Sequence, residues 1–226
     1  MKESNISIFL TNLNAYNEGN LIGEWVKLPC SAEDMKNVFE RNHVTTDSGW
    51  FISDFELNEN LSNMKNEIGM YTNVDELNYV AAVIDNLDDE DYKKFECVVS
   101  SGVESFSSIL DYVTLAQNLD CYDIIPVTDN EELGEYLMND IPLPNINDVS
   151  LSAYIDYESI GRDFMINAAA CGYGTTGFCL CEQSLPETVA EIPKEYMIIP
   201  QDKEAVNSIS FQPARPQTYD EIGMER

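Results

Sequence analysis

The sequence predicts an α+β protein assembled from small modules. An N-terminal antiparallel sheet with one helix occupies residues 1–62, and a central helical, acidic module spans 63–119. A C-terminal α/β module fills 120–182, and 183–226 form an extended C-terminal tail. Three observations carry this reading. Near the N-terminus Leu21 to Leu28 alternates between two faces, the period a strand demands, and Tyr173 to Cys181 reads as a closing strand or hairpin. Between those regions apolar residues recur three and four residues apart, the period of a helix with one buried face. Beyond Glu182, Pro186, Pro193, Pro200, Pro213 and Pro216 interrupt a stretch with no steady period, so that stretch reads as extended or partly disordered, with folding back along the body or binding of its own left open.

Ile6 to Thr11 opens as a strand, and the Asn- and Gly-rich run Asn12 to Asn20 turns the chain. Leu21 to Leu28 alternates again. Leu21, Gly23, Trp25 and Lys27 fall on one face, and Ile22, Glu24, Val26 and Leu28 on the other. Trp25 is expected as a core anchor. Pro29 stops this strand. Ser31, with Asp34 three residues on, has the form of a capping box for a short helix through Met35, Val38 and Phe39. Gly49 to Phe55 completes the sheet.

The middle of the chain is helical. Leu77, Val80, Ala81, Ile84 and Leu87 line one buried face, with Asp75 and Glu76 in the first turn, where the helix dipole favours anions. Asp88 to Asp91 opens the next helix, whose inner face is Tyr92, Phe95, Val98 and Val99, and Gly102 ends it. A third helix turns Phe106, Ile109, Leu110 and Val113 inward. Cys121 to Val127 reads as a short strand, and Asp129 to Met138 as an acidic amphipathic helix. Pro142 and Pro144 force a loop, a helix runs over Tyr154 to Ala170, and Tyr173 to Cys181 closes the fold as a strand or hairpin.

Charge bounds the function. The 226 residues carry 12 Lys+Arg against 41 Asp+Glu, a formal net charge of −29. Between Lys65 and Arg162 the basic residues are Lys93 and Lys94 alone, while carboxylates recur throughout, interleaved with apolar residues rather than gathered into a tail. With 44% hydrophobic and 10% aromatic residues the chain can build a core, which a disordered acidic chain cannot. The charge argues against direct binding of nucleic acid or of anionic membranes, both of which repel it. It suits a basic partner surface or bound cations. The only apolar run near the start, Ile6 to Leu10, is too short for a signal-peptide core, and nothing approaches a membrane span, so a cytoplasmic protein is expected.

No cofactor, metal site or catalytic residue is expected. The six cysteines form no CxxC pair, and His43 is the single histidine, so a zinc site has little to draw on and buried thiols are expected. Gly172 to Gly177 matches G-x-G-x-x-G. The dinucleotide fingerprint needs a strand before the glycines and a helix after them; here the order reads reversed, and a hairpin turn is expected. Asp85 to Glu90 resembles the start of a calcium loop but places Glu90 where that loop requires glycine. Nothing around His43 looks like a nucleophile elbow. Charge alone also fits a merely solvated acidic face, as in halophilic proteins, so it does not by itself assign a function.

The run Tyr16-Asn17-Glu18-Gly19-Asn20-Leu21-Ile22-Gly23-Glu24-Trp25-Val26-Lys27-Leu28-Pro29 carries the pattern Y-N-x-G-x-L-x-G-x-W-V-x-L-P. It resembles the N-terminal signature of the ArdA antirestriction proteins, and Tyr157 to Asp163 resembles a C-terminal portion of the same family. The resemblance implies an elongated, bent homodimer of three small modules, carried by a mobile genetic element, that mimics B-form DNA. The implied partner is a type I restriction–modification enzyme, whose methyltransferase and specificity subunits close around DNA. Inhibition would be stoichiometric, without catalysis.

The expected mimic surface comprises Asp75, Glu76, Asp85, Asp88, Asp89, Glu90, Asp91, Glu96, Glu104, Asp111, Asp120, Asp123, Asp129, Glu131, Glu132, Glu135 and Asp140. B-DNA carries one charge per about 1.7 Å of axis, so a dimer with twice −29 charges would match at most about 100 Å of duplex, about 30 base pairs. Such a surface binds more weakly as salt rises. The competing reading is an acidic interaction module for another basic DNA-binding protein.

Overall fold

The computed structural model describes residues 5–45, 48–141, 145–146, 149–168, 171–181, 189 and 191–200. The loop prolines Pro142 and Pro144, Asp148 and the tail from 201 onward lie outside the described residues. The fold is α+β, with two small antiparallel sheets of three strands each and helices between and around them.

Strand β1 (Ile6–Asn12) pairs with β2 (Gly23–Leu28) on one side and β3 (Trp50–Leu57) on the other. Between β1 and β2 the chain makes not a plain turn but one turn of helix, α1 (Leu13–Asn17), because the Asn12 side chain accepts from the Ala15 amide at 3.0 Å and starts it. Helix α2 (Ala32–Arg41) opens on the expected Ser31–Asp34 capping box. Ile6, Ile8 and Leu10 of β1, Val26 and Leu28 of β2, and Met35 and Val38 of α2 share one apolar core. Trp25 does not join them. It is 44% exposed on the opposite face, a correction to the core-anchor expectation. Two apolar faces were available in this alternation, and the smaller Val26 and Leu28 turned inward.

After a short 3-10 stretch (Glu59–Asn66) come α3 (Val74–Asp85), α4 (Asp89–Ser101) and α5 (Ile109–Ala116). Leu77, Val80, Ala81 and Ile84 are buried as the spacing predicts, and so are Phe95, Val98, Val99, Ile109 and Val113. Gly102 ends α4 in the left-handed conformation (φ 72°), which glycine adopts without steric cost. Phe106 falls before α5 and stacks on Tyr112, ring centroids 4.2 Å apart. These helices share the apolar core of the N-terminal sheet, which also takes in Tyr122, Cys179, Cys181 and Ile198.

The second sheet has the order β4-β8-β7, from β4 (Tyr122–Ile125), β7 (Cys171–Tyr173) and β8 (Phe178–Cys181). Asn145–Ile146 and Val149–Ser150 form a two-stranded ribbon, β5 and β6. Helices α6 (Asn130–Met138) and α7 (Tyr157–Asn167) cross closely. A β-carbon at Gly134 would strike the Tyr157 carbonyl, and one at Gly161 the Asn130 carbonyl, so both crossing points require glycine. The helix expected over Tyr154 to Ala170 is shorter than the sequence suggested. Leu151–Tyr154 is a 3-10 turn, and Asp156 then caps a fresh start by accepting from the Ser159 amide at 3.0 Å. The G-x-G-x-x-G run is the turn of the β7–β8 hairpin, closed by the Gly174 amide on the Gly177 carbonyl at 2.8 Å.

Part of the expected tail belongs to the body. Residues 191–200 contain a 3-10 turn (Lys194–Tyr196) and lie against α3. Tyr196 stacks on Tyr79 at 4.7 Å, its carbonyl accepts from the Asn78 side chain at 3.0 Å, and Ile198 is 1% exposed. Folding back was one of the open readings; the anchors themselves gave no period, because a segment held by a few anchors need not repeat them.

Candidate functional site

Most of the exposed carboxylates of the expected set sit where helices begin. An N-cap position asks for a short side chain with an oxygen, and the first turn favours anions, so one physical rule gathers Asp and Glu there. At α4, Asp88 accepts from the amides of Glu90 and Asp91, each at 2.9 Å, and Asp89, Glu90 and Asp91 stand exposed in the first turn. At α6, Asp129 accepts from the Glu132 amide at 2.9 Å while the Glu132 carboxylate accepts from the Thr128 amide at 2.8 Å. Glu131, Glu135 and Asp140 are exposed along the same helix and its end, and Asp120 and Asp123 are exposed around the start of β4. Glu135 borders an open cleft of ≈ 350 Å³ with Met138, Asn139, Ile141, Ser152 and Tyr157.

The remaining members of the expected set are committed within the chain. Asp75 leaves the surface altogether: it is 6% exposed, and its Oδ1 accepts from the amides of Ile198 and Ile199 at 2.7 and 2.9 Å. Asp85, half-buried, accepts from the Asn5 side chain at 2.7 Å. Glu76 accepts from the Asn73 side chain at 3.2 Å. Asp111 accepts from the amides of Ser107 and Ser108 at 2.7 and 2.8 Å, just ahead of α5. Glu104 accepts from the Tyr122 hydroxyl at 2.6 Å.

Glu96 is half-buried, and that burial raises its carboxyl pKa above the ordinary value. A raised carboxyl pKa means the folded state resists ionisation. The penalty is therefore present at neutral pH and is relieved as pH falls through the folded-state value. Glu96→Gln is expected to raise the melting temperature at pH 7, with the gain shrinking on acidification; thermal melts of both forms from neutral to acidic pH check it.

The expected set omits carboxylates of the same kind. Glu33 and Asp34 lie exposed in the first turn of α2, and Asp156 and Glu158 at the start of α7. Hydrogen bonds from Ser31 hold the Asp34 carboxyl below the usual range, and those from Ser159 do the same for Asp156. The Ser31–Asp34 spacing was itself the signal that could have placed Asp34 in the set.

Among the described residues, ion pairs join Arg41 to Glu24 at 2.6 Å, Arg162 to Asp163 at 3.7 Å and Lys36 to Glu40 at 3.9 Å. The clusters at Asp88–Asp91 and Glu131–Glu135 take part in none of these. His43 is exposed, in the left-handed conformation at the end of α2. No group of His, Cys, Asp or Glu among the described residues is arranged to hold a metal ion, and no described helix is long and apolar enough to cross a membrane.

The family model for antirestriction protein (ArdA) matches residues 8–177. The chain belongs to the ArdA antirestriction family. The match runs from within β1 to the β7–β8 turn and takes in helices α1 to α7. The segment 191–200, docked on α3 of this ArdA protein, lies beyond it. No curated protein matches the chain. Membership makes this an antirestriction protein whose counterparts are restriction enzymes. Within the ArdA match, the signature residues Tyr16, Gly23 and Trp25 lie on or beside the N-terminal sheet, while the exposed carboxylate clusters lie on α4 and α6.

Proposed function

We propose that the protein inhibits type I restriction–modification enzymes by presenting carboxylates in place of the phosphates of B-form DNA, occupying the basic groove of the methyltransferase and specificity subunits. The observation that carries this reading is the pair of exposed clusters at the starts of α4 and α6, in a chain of net charge −29. A groove built to pair cations with phosphate gains similar Coulomb energy from carboxylates held at comparable spacing. In the same reading the chain divides near residues 62, 119 and 182, acts as a homodimer in the cytoplasm, and travels with a mobile genetic element.

Gel filtration of the protein mixed with a purified type I methyltransferase, at low and moderate salt and with competing duplex DNA, tests it. The expected result is a complex that DNA displaces and salt weakens. Its salt slope should be shallower than the value of about 0.9 per phosphate contact that DNA gives, because a folded protein condenses fewer counterions than duplex. Ternary complexes with DNA, or an affinity indifferent to salt, would sink the proposal. Equal binding to unrelated basic DNA-binding proteins would favour a general acidic interaction module instead.

A further inference from the structure

The family signature builds an open aromatic face. Residues opposite each other in register share a face of the sheet. Trp25, Phe9 and Asp54 therefore form one row across β2, β1 and β3; Lys27, Ser7 and Glu56 form the next, and Gly23, Thr11 and Phe51 a third. This is the face opposite Ile8 and Val26, which enter the core. Trp25 meets Phe9 edge to face, ring centroids 5.4 Å apart, and Tyr16 meets Phe51 in the same way at 5.2 Å. A β-carbon at Gly23 would strike the Phe9 ring and the Leu10 carbonyl, so the signature glycine is what lets that ring lie over β2. Trp25 is 44% exposed, Tyr16 53% and Leu21, in the loop entering β2, 67%.

Ile8, Leu10, Val26 and Leu28 supply the core side of the sheet; on the opposite face Thr11 and Phe51 are covered, 0% and 3% exposed, while Trp25 and Tyr16 stay open. We propose that the Trp25–Phe9–Tyr16 face is a docking surface for an arginine-bearing apolar patch on the restriction enzyme, and that its aromatic contacts supply an anchor less sensitive to salt than the carboxylate clusters on α4 and α6. Charge complementarity selects that occupant. Asp54 and Glu56 stand exposed on β3 in register with Phe9 and Ser7, and Glu18 is exposed two residues beyond Tyr16, with Lys27 as the cation across from Glu56. Guanidinium groups stack on Trp and Tyr faces and pair with such carboxylates. A second copy of this chain would instead bring Asp54 and Glu56 toward their own like charges. Apolar contact does not decay with ionic strength as exposed charge pairs do, so the two kinds of surface leave different signatures.

This inference rests on the function proposed above, and the test separates the two. Wild type, Trp25→Ala and the block variant D88N/D89N/E90Q/D91N are titrated into purified type I methyltransferase with its specificity subunit at several salt concentrations. Trp25→Ala is expected to raise Kd by about 30-fold at every salt concentration and leave the slope of log Kd against log[salt] unchanged. The block variant is expected to flatten the slope. In Trp50→Phe, which leaves Trp25 as the single tryptophan, the emission should shift to the blue when the enzyme binds. That readout serves if the alanine variant fails to fold. Unchanged affinity in Trp25→Ala, unchanged emission, or an effect confined to self-association overturns the anchor and leaves the proposed function standing. Failure of the wild type to bind the enzyme overturns both.

Discussion

Replacing Asp88, Asp89, Glu90 and Asp91 together by their amides is expected to weaken inhibition of a type I enzyme by about 30-fold, whereas each single replacement costs about fivefold at most. The four side chains are exposed, and an exposed ion pair is worth only about 0.2–1 kcal/mol, so the effect must be collective. Asn keeps the capping oxygen that Asp88 offers to Glu90 and Asp91, so α4 should survive the exchange. Circular dichroism and a melting curve verify that before inhibition is measured. Amides at Glu131, Glu132 and Glu135 should behave alike, since the amide oxygen that replaces the Glu132 carboxylate can still accept from the Thr128 N–H. If one substitution alone abolished inhibition in a folded protein, a discrete site would replace the distributed surface.

Asp75 should behave in the opposite way. Asp75→Ala is expected to cost about 3 kcal/mol of stability, because it strands two N–H groups that a buried carboxylate satisfies. Asp75→Asn retains an acceptor oxygen at the same place and should lose much less. Denaturant titrations of the two variants measure the difference. In Asp75→Asn, inhibition should stay at the wild-type level, since a buried carboxylate offers no charge to a partner. Equal stability of Asp75→Ala and wild type would mean that the contact with residues 198 and 199 contributes nothing.

Elements that announce themselves locally were legible in the sequence. The Ser31–Asp34 box, the acidic start of α4 at Asp88, the Gly102 stop and the apolar spacing of α3 are each written within a few neighbouring residues. What failed was long-range. Asp75 carries the same local signal as Asp89, a carboxylate in a first turn, yet its amide partners lie 123 and 124 residues away. No window on the sequence brings Ile198 to it. Trp25 failed for a different reason. Alternation fixes which residues share a face but not which face turns inward, and here both faces carry apolar side chains. The extended reading of α7 overlooked Asp156, whose capping of Ser159 splits the segment into a 3-10 turn and a new helix. Among the expected carboxylates, the helix starts at Asp88–Asp91 and Asp129–Glu132 could be read locally, but their exposure could not, since Asp75 carries the same signal and is buried. Which others the chain itself consumes depends on partners that no local pattern names.

The caps at the helix starts also set how stiff the molecule is toward a partner. Asp88, Asp129, Glu132 and Asp156 are each held by main-chain N–H groups before anything arrives. A loose surface glutamate gives up as much as about 2 kcal/mol of rotamer freedom when it is immobilised, a shorter aspartate less, and Glu132 and the three aspartates surrendered theirs during folding. Phosphates on a duplex are likewise fixed to a backbone that hardly bends over tens of base pairs. On the proposed function, a cleft that grips the protein would therefore spend little on straightening its guest.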